Sequence, residues 1–406
     1  MPAVDELDLP EFDHTDPELR GDRWLEAARA AMAGNWLARS PLATVIFDRE
    51  AAEAVLRSRE AVFPGLEALA LFGIESGPLF EEARDNIINI NGPDHGRLRG
   101  LVNPEFTPRA ADRHRPFLRG LFGELAGPLV GAGPVEAVSA LCKPYASRAI
   151  AGVVGAPQAD APMIHDWAEW IQRQFDPVAL AGERPQIEEK VAELYAWLRP
   201  MVEARRREPA DDLISRLLDA EEAGDRLSQE ELENLVLNVL VGGTDTGQGQ
   251  LAQSLLLFAR HPDQWEALRR EPGLAAAAAE ESLRFTPVTP FTARLLTADL
   301  ELKGVTFPAG SLLLVCSHTA NRDPKAFERP EEFDITAPRQ GARILTFGAG
   351  THYCLGANLA RAELEEALGA LAAVAGRIEL VAEPRLAAVS GVYAVERLEV
   401  ELVASG

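Results

Sequence analysis

The sequence predicts a mainly α protein with small β-sheets (α+β), folded as a single domain, and three observations lead there. Apolar residues recur at helical spacing through most of the 406 residues, including one stretch that ends only at His261-Pro262. That stretch is about 30 residues long, or roughly 45 Å as a helix. Alternating runs that suit strands are short and confined to 36–47, 300–316 and 377–403. No repeat, Gly/Ser linker or charge block divides the chain. Residues 1–35 read as an N-terminal extension and 36–406 as one domain.

Composition narrows the function before any motif is considered. Hydrophobic residues make up 47% of the chain, enough to fill a sizeable core. A net charge of −23 argues against nucleic acid or an anionic membrane as a general partner. Cys142, Cys316 and Cys354 lie far apart with no CxxC pair, which fits a reducing compartment. The N-terminus is acidic and proline-broken, without a signal-peptide pattern. No run approaches the ~18 apolar residues of a membrane span. A cytoplasmic protein without a membrane anchor is expected.

Residues 36–47 contain two short β-like runs around Ser40-Pro41, and 48–57 switch to helical spacing. Residues 62–90 are irregular and greasy, with Phe63, Leu66, Leu69, Phe72, Leu79 and Ile87, which favours a pocket wall. In 92–109, Asp94 is expected to cap a helix that sets His95 and Arg99 one turn apart. Such a donor pair suits a carboxylate. Arg97, Arg99, Arg109, Arg113, Arg115 and Arg119 form a basic island, read evenly as a docking surface for an acidic partner or as a solvated face with some arginines spent on a ligand or on structure. Residues 160–205 read as helices joined by proline-containing loops at 175–177 and 183–185.

The long central helix opens with the capping box Ser228-x-x-Glu231, and Leu227 with Leu232 fits a hydrophobic staple. Leu235, Val236, Leu237, Val239, Leu240 and Val241 make its first half apolar all round, hence buried. Gly242-Gly243-Thr244-Asp245-Thr246-Gly247 follows, where each Gly costs up to ~1 kcal/mol relative to Ala. Local inconsistency of this kind marks function. The glycine pair opens a groove for a small ligand. Thr246 offers a hydroxyl that can bond back to the helix, and Asp245 can relay protons if it reaches solvent.

Glu281 and Arg284 stand at i,i+3 of a strong helix, and 287–294 end at Arg294. The most specific stretch is 347–361, FGAGTHYCLGANLAR, which sets Cys354 in a glycine-punctuated loop running into a helix. Gly348, Gly350 and Gly356 allow tight bends and the close approach of a flat ligand. The helix N-terminus is expected to lower the thiol pKa and give a thiolate. Phe347 is placed to keep water from the sulfur. One thiolate alone excludes tetrahedral zinc but suits the axial position of haem iron.

The pattern Phe347-Gly348-x-Gly350-x-His352-x-Cys354-x-Gly356 resembles the cysteine loop of the cytochrome P-450 family, the haem-thiolate monooxygenases. Gly242-Gly243-x-Asp245-Thr246 resembles that family's oxygen-activation helix. His95-x-x-x-Arg99, with the Phe-Thr-Pro-Arg ending at Arg109, resembles its His-x-x-x-Arg helix, and Glu281-x-x-Arg284 its structural Glu-x-x-Arg. The segments fall in the family's order from about residue 36 onward. Three positions depart: Gly247 replaces a common second threonine or serine, Ala337 a frequent arginine (with Arg339 nearby), and Ile344 a histidine.

The resemblance implies the cytochrome P-450 fold, with haem b between the central helix and the Cys354 loop. Cys354 would be the axial iron ligand. His95, Arg99, Arg294 and His352, with Phe347, Gly348 and Gly356, would bind the cofactor. Asp245 and Thr246 would supply protons, and Glu281 with Arg284 would lock the scaffold. Val241, Gly242, Val288, Thr289, Phe291 and Val392 become candidates for the substrate pocket, and the helices of 160–205 for its lid. The implied activity inserts one atom of dioxygen into a C–H bond of a lipophilic small molecule, as in soluble bacterial members. Electrons would come from NAD(P)H through a reductase and a ferredoxin. In one reading of the basic island its acidic partner would be that electron carrier; in the other some of its arginines would be spent on haem. A peroxide-driven haem-thiolate enzyme and a non-catalytic haem sensor are the alternatives; the intact Asp245–Thr246 pair disfavours both.

Overall fold

The computed structural model describes residues 1–222, 227–338 and 341–405, so Arg339 lies outside the described residues. The helix Gln229–Arg260 runs through the middle of the molecule. Its capping box is formed: Ser228 Oγ accepts from the Glu231 N–H at 3.2 Å, and Glu231 Oε2 accepts from the Ser228 N–H at 2.9 Å. Most side chains from Leu232 to Phe258 are buried. Helices Lys143–Val154, Ala161–Gln172, Pro177–Arg207, Ala275–Phe285 and Ala357–Val374 all pack on it. A helix enclosed on all sides needs apolar residues all round, which is the pattern its sequence carries.

A five-stranded sheet covers one flank: β1 (Leu37–Arg39), β2 (Thr44–Ile46), β3 (Ala61–Val62), β4 (Phe291–Leu296) and β5 (Leu312–Cys316), in the order β1-β2-β5-β4-β3. Only β2 and β5 pair in parallel. Strand alternation in β4 puts Phe291 and Ala293 on one face and Thr292 and Arg294 on the other. The C-terminus contributes Ala375–Leu380 and Glu399–Ala404 to a second sheet with Pro134–Glu136.

Residues 1–35 include the helix Asp22–Met32 and bury Val4, Phe12 and Trp24. Phe12 and Trp24 pack on the ring of Phe291 at 5.9 and 6.3 Å. Of the greasy segment 62–90, Leu69, Ile74, Leu79 and Ala83 form a cluster with Leu180 and Ile187. That part is tucked beneath a neighbouring helix.

Two expectations are corrected here. Pro177 opens the helix Pro177–Arg207, but Pro185 lies inside it and not in a loop. A long, well-packed helix tolerates the missing donor and the kink. The basic island, too, is largely neutralised. Arg97 pairs with Glu231, Arg113 with Glu105 at 3.0 Å, and Arg119 with Glu366 at 2.7 Å. Arg115 meets Asp112, Glu365 and Glu366 at 2.7–3.0 Å. Several of these acids come from remote helices. Among the described residues, Arg99 and Arg109 alone of the six have no carboxylate partner.

The turn Arg173–Phe175 between helices Ala161–Gln172 and Pro177–Arg207 is closely tied down. Arg173 pairs with Glu183, and the Gln174 side chain is buried. Phe175 lies 6.2 Å from the Phe63 ring, and Asp176 Oδ2 accepts from Ser390 Oγ at 3.2 Å.

Candidate functional site

The cysteine loop is shaped by backbone sterics. Gly348 and Gly350 take φ of +69° and +72°, where a side chain would be strained, and a Cβ on Gly350 would collide with the Leu56 carbonyl. The Cys354 N–H donates to the Phe347 carbonyl at 3.0 Å. The helix Ala357–Val374 follows; the Gly356 and Ala357 N–H groups lie close enough to the sulfur to oppose the rise of its pKa, and the Ala357 N–H donates to the Cys354 carbonyl at 3.4 Å. The Phe347 ring sits under the Arg361 guanidinium, 4.6 Å away.

Cys354 has accessible surface, yet burial pushes its thiol up; backbone N–H groups, Arg99 and Arg361 oppose this only in part. Both hold for a sulfur that faces an enclosed space inside the protein. The expectation of a thiolate in the bare chain is therefore corrected. Desolvation outweighs the helix terminus, and a positive charge opposite the sulfur is needed to make it the stable form. Cys142 and Cys316 are buried and their thiols are pushed up, as suits packing residues.

The central helix also looks into an internal space. Within its buried length, Asn238, Gly242, Gly243, Thr246 and Gly247 retain accessible surface. A Cβ on Gly242 would meet nothing within 4 Å, whereas one on Gly243 would meet Ile150 at 2.7 Å. Gly242 thus leaves room for a ligand, and Gly243 leaves room for a neighbouring helix. Thr246 Oγ1 donates back to the Gly242 carbonyl at 2.6 Å, and Thr244 Oγ1 to Leu240 at 2.7 Å.

Asp245 is buried, with Gln248 Nε2 donating to its Oδ1 at 3.0 Å. Burial, helped by the charge of Glu169, pushes its carboxyl up to about 6, while His165 and Lys143 oppose. Glu169 is held down to about 2 by His165 and Lys143, whose nitrogens lie 3.0 and 3.1 Å from its Oε2.

A third group is basic and has no acid among it. The rings of His95 and His352 are 4.3 Å apart, and His352 Nε2 meets Asn91 Oδ1 at 2.9 Å. Arg99 donates to the Tyr353 carbonyl at 3.0 Å, and buried Arg294 only to its neighbour's carbonyl, Ala293, at 2.7 Å. Burial, then repulsion from His95, Arg294 and Arg99, pushes His352 down to about 3. Burial alone brings Arg294 to about 10. His95 Nδ1 is buried with no partner. The helix carrying His95 and Arg99, Gly92–Val102, begins after Asn91; Asp94 falls in its first turn, 3.8 Å from Arg97, and is not the expected cap.

These residues fit haem. An accessible sulfur, open space at Gly242, Gly348 and Gly356, and a cluster of basic groups awaiting an anion match an iron macrocycle with two carboxylates.

Among the pocket candidates, Val241 is buried, and Val288 and Val392 pack where Gly249 leaves room. The Thr289 carbonyl accepts from Ser317 Oγ at 3.0 Å. Phe291 is corrected: it turns away from the Arg294 face of β4 into the Phe12–Trp24 cluster, and Thr292 shares that face instead. Sequence reasoning also passed over Asn238, Asn91 and the buried Glu363. Asn238 was the findable one, a polar residue four positions before Gly242 in an otherwise apolar run.

Glu363 lies in the helix Ala357–Val374, beside Gly247. Burial pushes its carboxyl up to about 8. From the ordinary carboxylate range up to that value, the folded chain keeps a proton that the unfolded chain has released. Stability should then fall with rising pH by up to ~1.4 kcal/mol per unit. Glu363→Gln should raise the melting temperature at pH 8 by several degrees and leave it unchanged at pH 4.5. Parallel melting shifts at both pH values would refute this.

The cytochrome P-450 family profile matches residues 184–371. Luteothin monooxygenase of Streptomyces thioluteus is 35% identical over 371 residues, covering 90% of this chain and 89% of that protein. Mycinamicin IV hydroxylase/epoxidase of Micromonospora griseorubida is 34% identical over 295 residues, 72% of each chain. The crystal structure of CalO2 superposes with a TM-score of 0.90 at 31% identity, over 98% of this chain and 100% of the other. The fold and the sulfur-centred site define a haem-thiolate oxygenase class. The chain belongs to the cytochrome P-450 family and is a monooxygenase of that family. Among the described residues, no helix is long and apolar enough to cross a membrane.

Proposed function

We propose that this chain is a cytoplasmic bacterial monooxygenase that oxidises a C–H bond of a lipophilic small molecule. It draws electrons from NAD(P)H through a reductase and a ferredoxin-type carrier. In this reading residues 36–406 are the catalytic domain. The observation that carries it is one lone sulfur facing an enclosed space, with Thr246 at one wall and unpaired basic groups at another. Haem, when bound, supplies the redox chemistry that divides dioxygen between substrate and water.

Cys354 would hold the haem iron through its sulfur, and the Gly356 and Ala357 N–H groups with Arg99 and Arg361 would stabilise its negative charge. His95, Arg99 and Arg294 would hold the two haem carboxylates, with His352 fixed beside them by Asn91. Phe347, Gly348 and Gly356 shape the face nearest the sulfur. Asp245 takes a proton from the side of Glu169, His165 and Lys143, and the Thr246 oxygen holds a donor in the enclosed space beside it. The Thr246 hydrogen is committed to Gly242, so its oxygen is free to accept the incoming hydrogen bond. A carboxyl poised at about 6 can both gain and lose a proton near neutrality. Among the described residues, Arg99 and Arg109 are the arginines of the 97–119 island left without acids, and Arg109 is exposed where a carrier could meet it.

A peroxide-driven enzyme would need no such relay. Thr246→Ala should lower product formed per NAD(P)H by about tenfold or more while NAD(P)H is still consumed and peroxide is released. Unchanged coupling removes the proton-delivery role. Turnover by hydrogen peroxide but not by ferredoxin, reductase and NAD(P)H would overturn the proposed electron supply.

A further inference from the structure

We propose that Asn238 reads the substrate: its side-chain carbonyl oxygen accepts a hydrogen bond from a hydroxyl or N–H carried by an otherwise lipophilic molecule. This rests on the monooxygenase reading above and adds the chemical class of what is oxidised. From Leu232 to Leu240 every side chain of the central helix is buried except that of Asn238. It stands four residues before Gly242 and eight before Thr246, so the three lie along one ridge of the helix, and that ridge faces the enclosed space.

The orientation of the amide follows from its partners. Asn238 Nδ2 lies 2.8 Å from the Asn234 backbone carbonyl and 2.7 Å from Asn234 Oδ1. A backbone carbonyl can only accept, so the NH2 end of Asn238 must face it. Asn234 is fixed in the same way. Its own Nδ2 donates to the Glu82 carbonyl at 3.0 Å and meets the Tyr195 hydroxyl at 2.9 Å, leaving Oδ1 turned to Asn238. Both amide hydrogens of Asn238 are therefore used within the protein. Among the described residues its Oδ1 has no hydrogen-bond partner, and it is not among the sealed-off polar atoms.

An acceptor to which no protein donor is bonded favours an alcohol, amide or amine over a ketone or ether of the same shape. A ligand lacking the donor would leave Oδ1 dry and unpaired. Eight residues separate Asn238 from Thr246, about 12 Å along the axis. The polar group of the substrate is thus remote from the carbon that reacts, and it fixes which carbon is presented.

The test uses holoprotein and a library of matched steroid and macrolactone alcohols and their ketones, read by the shift of the Soret band. Wild-type protein should bind the alcohol of its best pairs at least about tenfold more tightly than the ketone. Asn238→Leu should abolish that preference by weakening the alcohol. Imidazole, a small iron ligand, should bind both proteins alike and so reports an intact site. Equal binding of alcohols and ketones by wild type, no alcohol bound at all, or a preference that survives in Asn238→Leu overturns the proposal. Failure of the monooxygenase reading looks different: no Soret band, and no imidazole shift, in the wild type.

Discussion

Cys354→Ser will remove the thiolate signature from the reduced carbon monoxide adduct and lower substrate oxidation by several orders of magnitude, while the chain stays folded. Sulfur is the atom at stake because everything around it is built for a negative, polarisable ligand: two N–H groups, Arg99 and Arg361. Serine keeps the shape but not the chemistry, since its hydroxyl stays protonated where a thiol can ionise against a metal. The fold should hold because the loop is fastened elsewhere. Asn321 Oδ1 accepts from the Leu345 N–H at 2.7 Å, its Nδ2 meets Thr346 Oγ1 at 2.9 Å, and Gly350 packs under Leu56. Apoprotein melting within about 1 kcal/mol of wild type is expected, as for substitutions away from the packed core. An adduct spectrum identical to wild type would end the haem-thiolate assignment.

Arg284→Ala should be the most destabilising single change. The Glu281–Arg284 pair is almost wholly buried, with contacts of 2.7 and 2.9 Å. Arg284 also donates to the carbonyls of Asn321, Pro330 and Glu332 at 2.8–3.0 Å, and Glu281 Oε1 accepts from the Asp334 N–H at 2.9 Å. Removing the guanidinium leaves a buried carboxylate without its counter-charge and takes a donor from three carbonyls, a loss of about 3–5 kcal/mol. Asn321 carries the damage to Leu345 and Thr346, directly before the cysteine loop, so haem content should fall together with stability. Calorimetry and the haem-to-protein ratio measure both. A melting temperature within about a degree of wild type would show that the pair is not what holds this region.

What the sequence disclosed was local. The Ser228 box, the Thr246 back-bond and the i,i+3 pairing of Glu281 with Arg284 each depend on residues within one or two turns, and each formed. What it hid was long-range. The partners of Arg97 and Arg119 come from helices more than a hundred residues away, so the run of arginines left a docking surface and a solvated, structural face equally open. The face that Phe291 presents depends on the register of β4 against β5, which no alternation count supplies. The Cys354 thiol was misjudged because a helix terminus can be read from sequence, whereas the depth at which it sits cannot. Asn238 was overlooked for the opposite reason: an apolar run was taken whole, and its one dissenting member was averaged away.

Two arginines and two histidines share one enclosed corner with no acid among them, so a chain that has not acquired its pigment carries an uncompensated desolvation cost there. A dianion relieves it, which couples folding to cofactor by mass action. Each tenfold rise in free pigment above its dissociation constant adds about 1.4 kcal/mol to the folded side. How much of this protein accumulates in a cell is therefore governed by porphyrin supply as well as by transcription and translation.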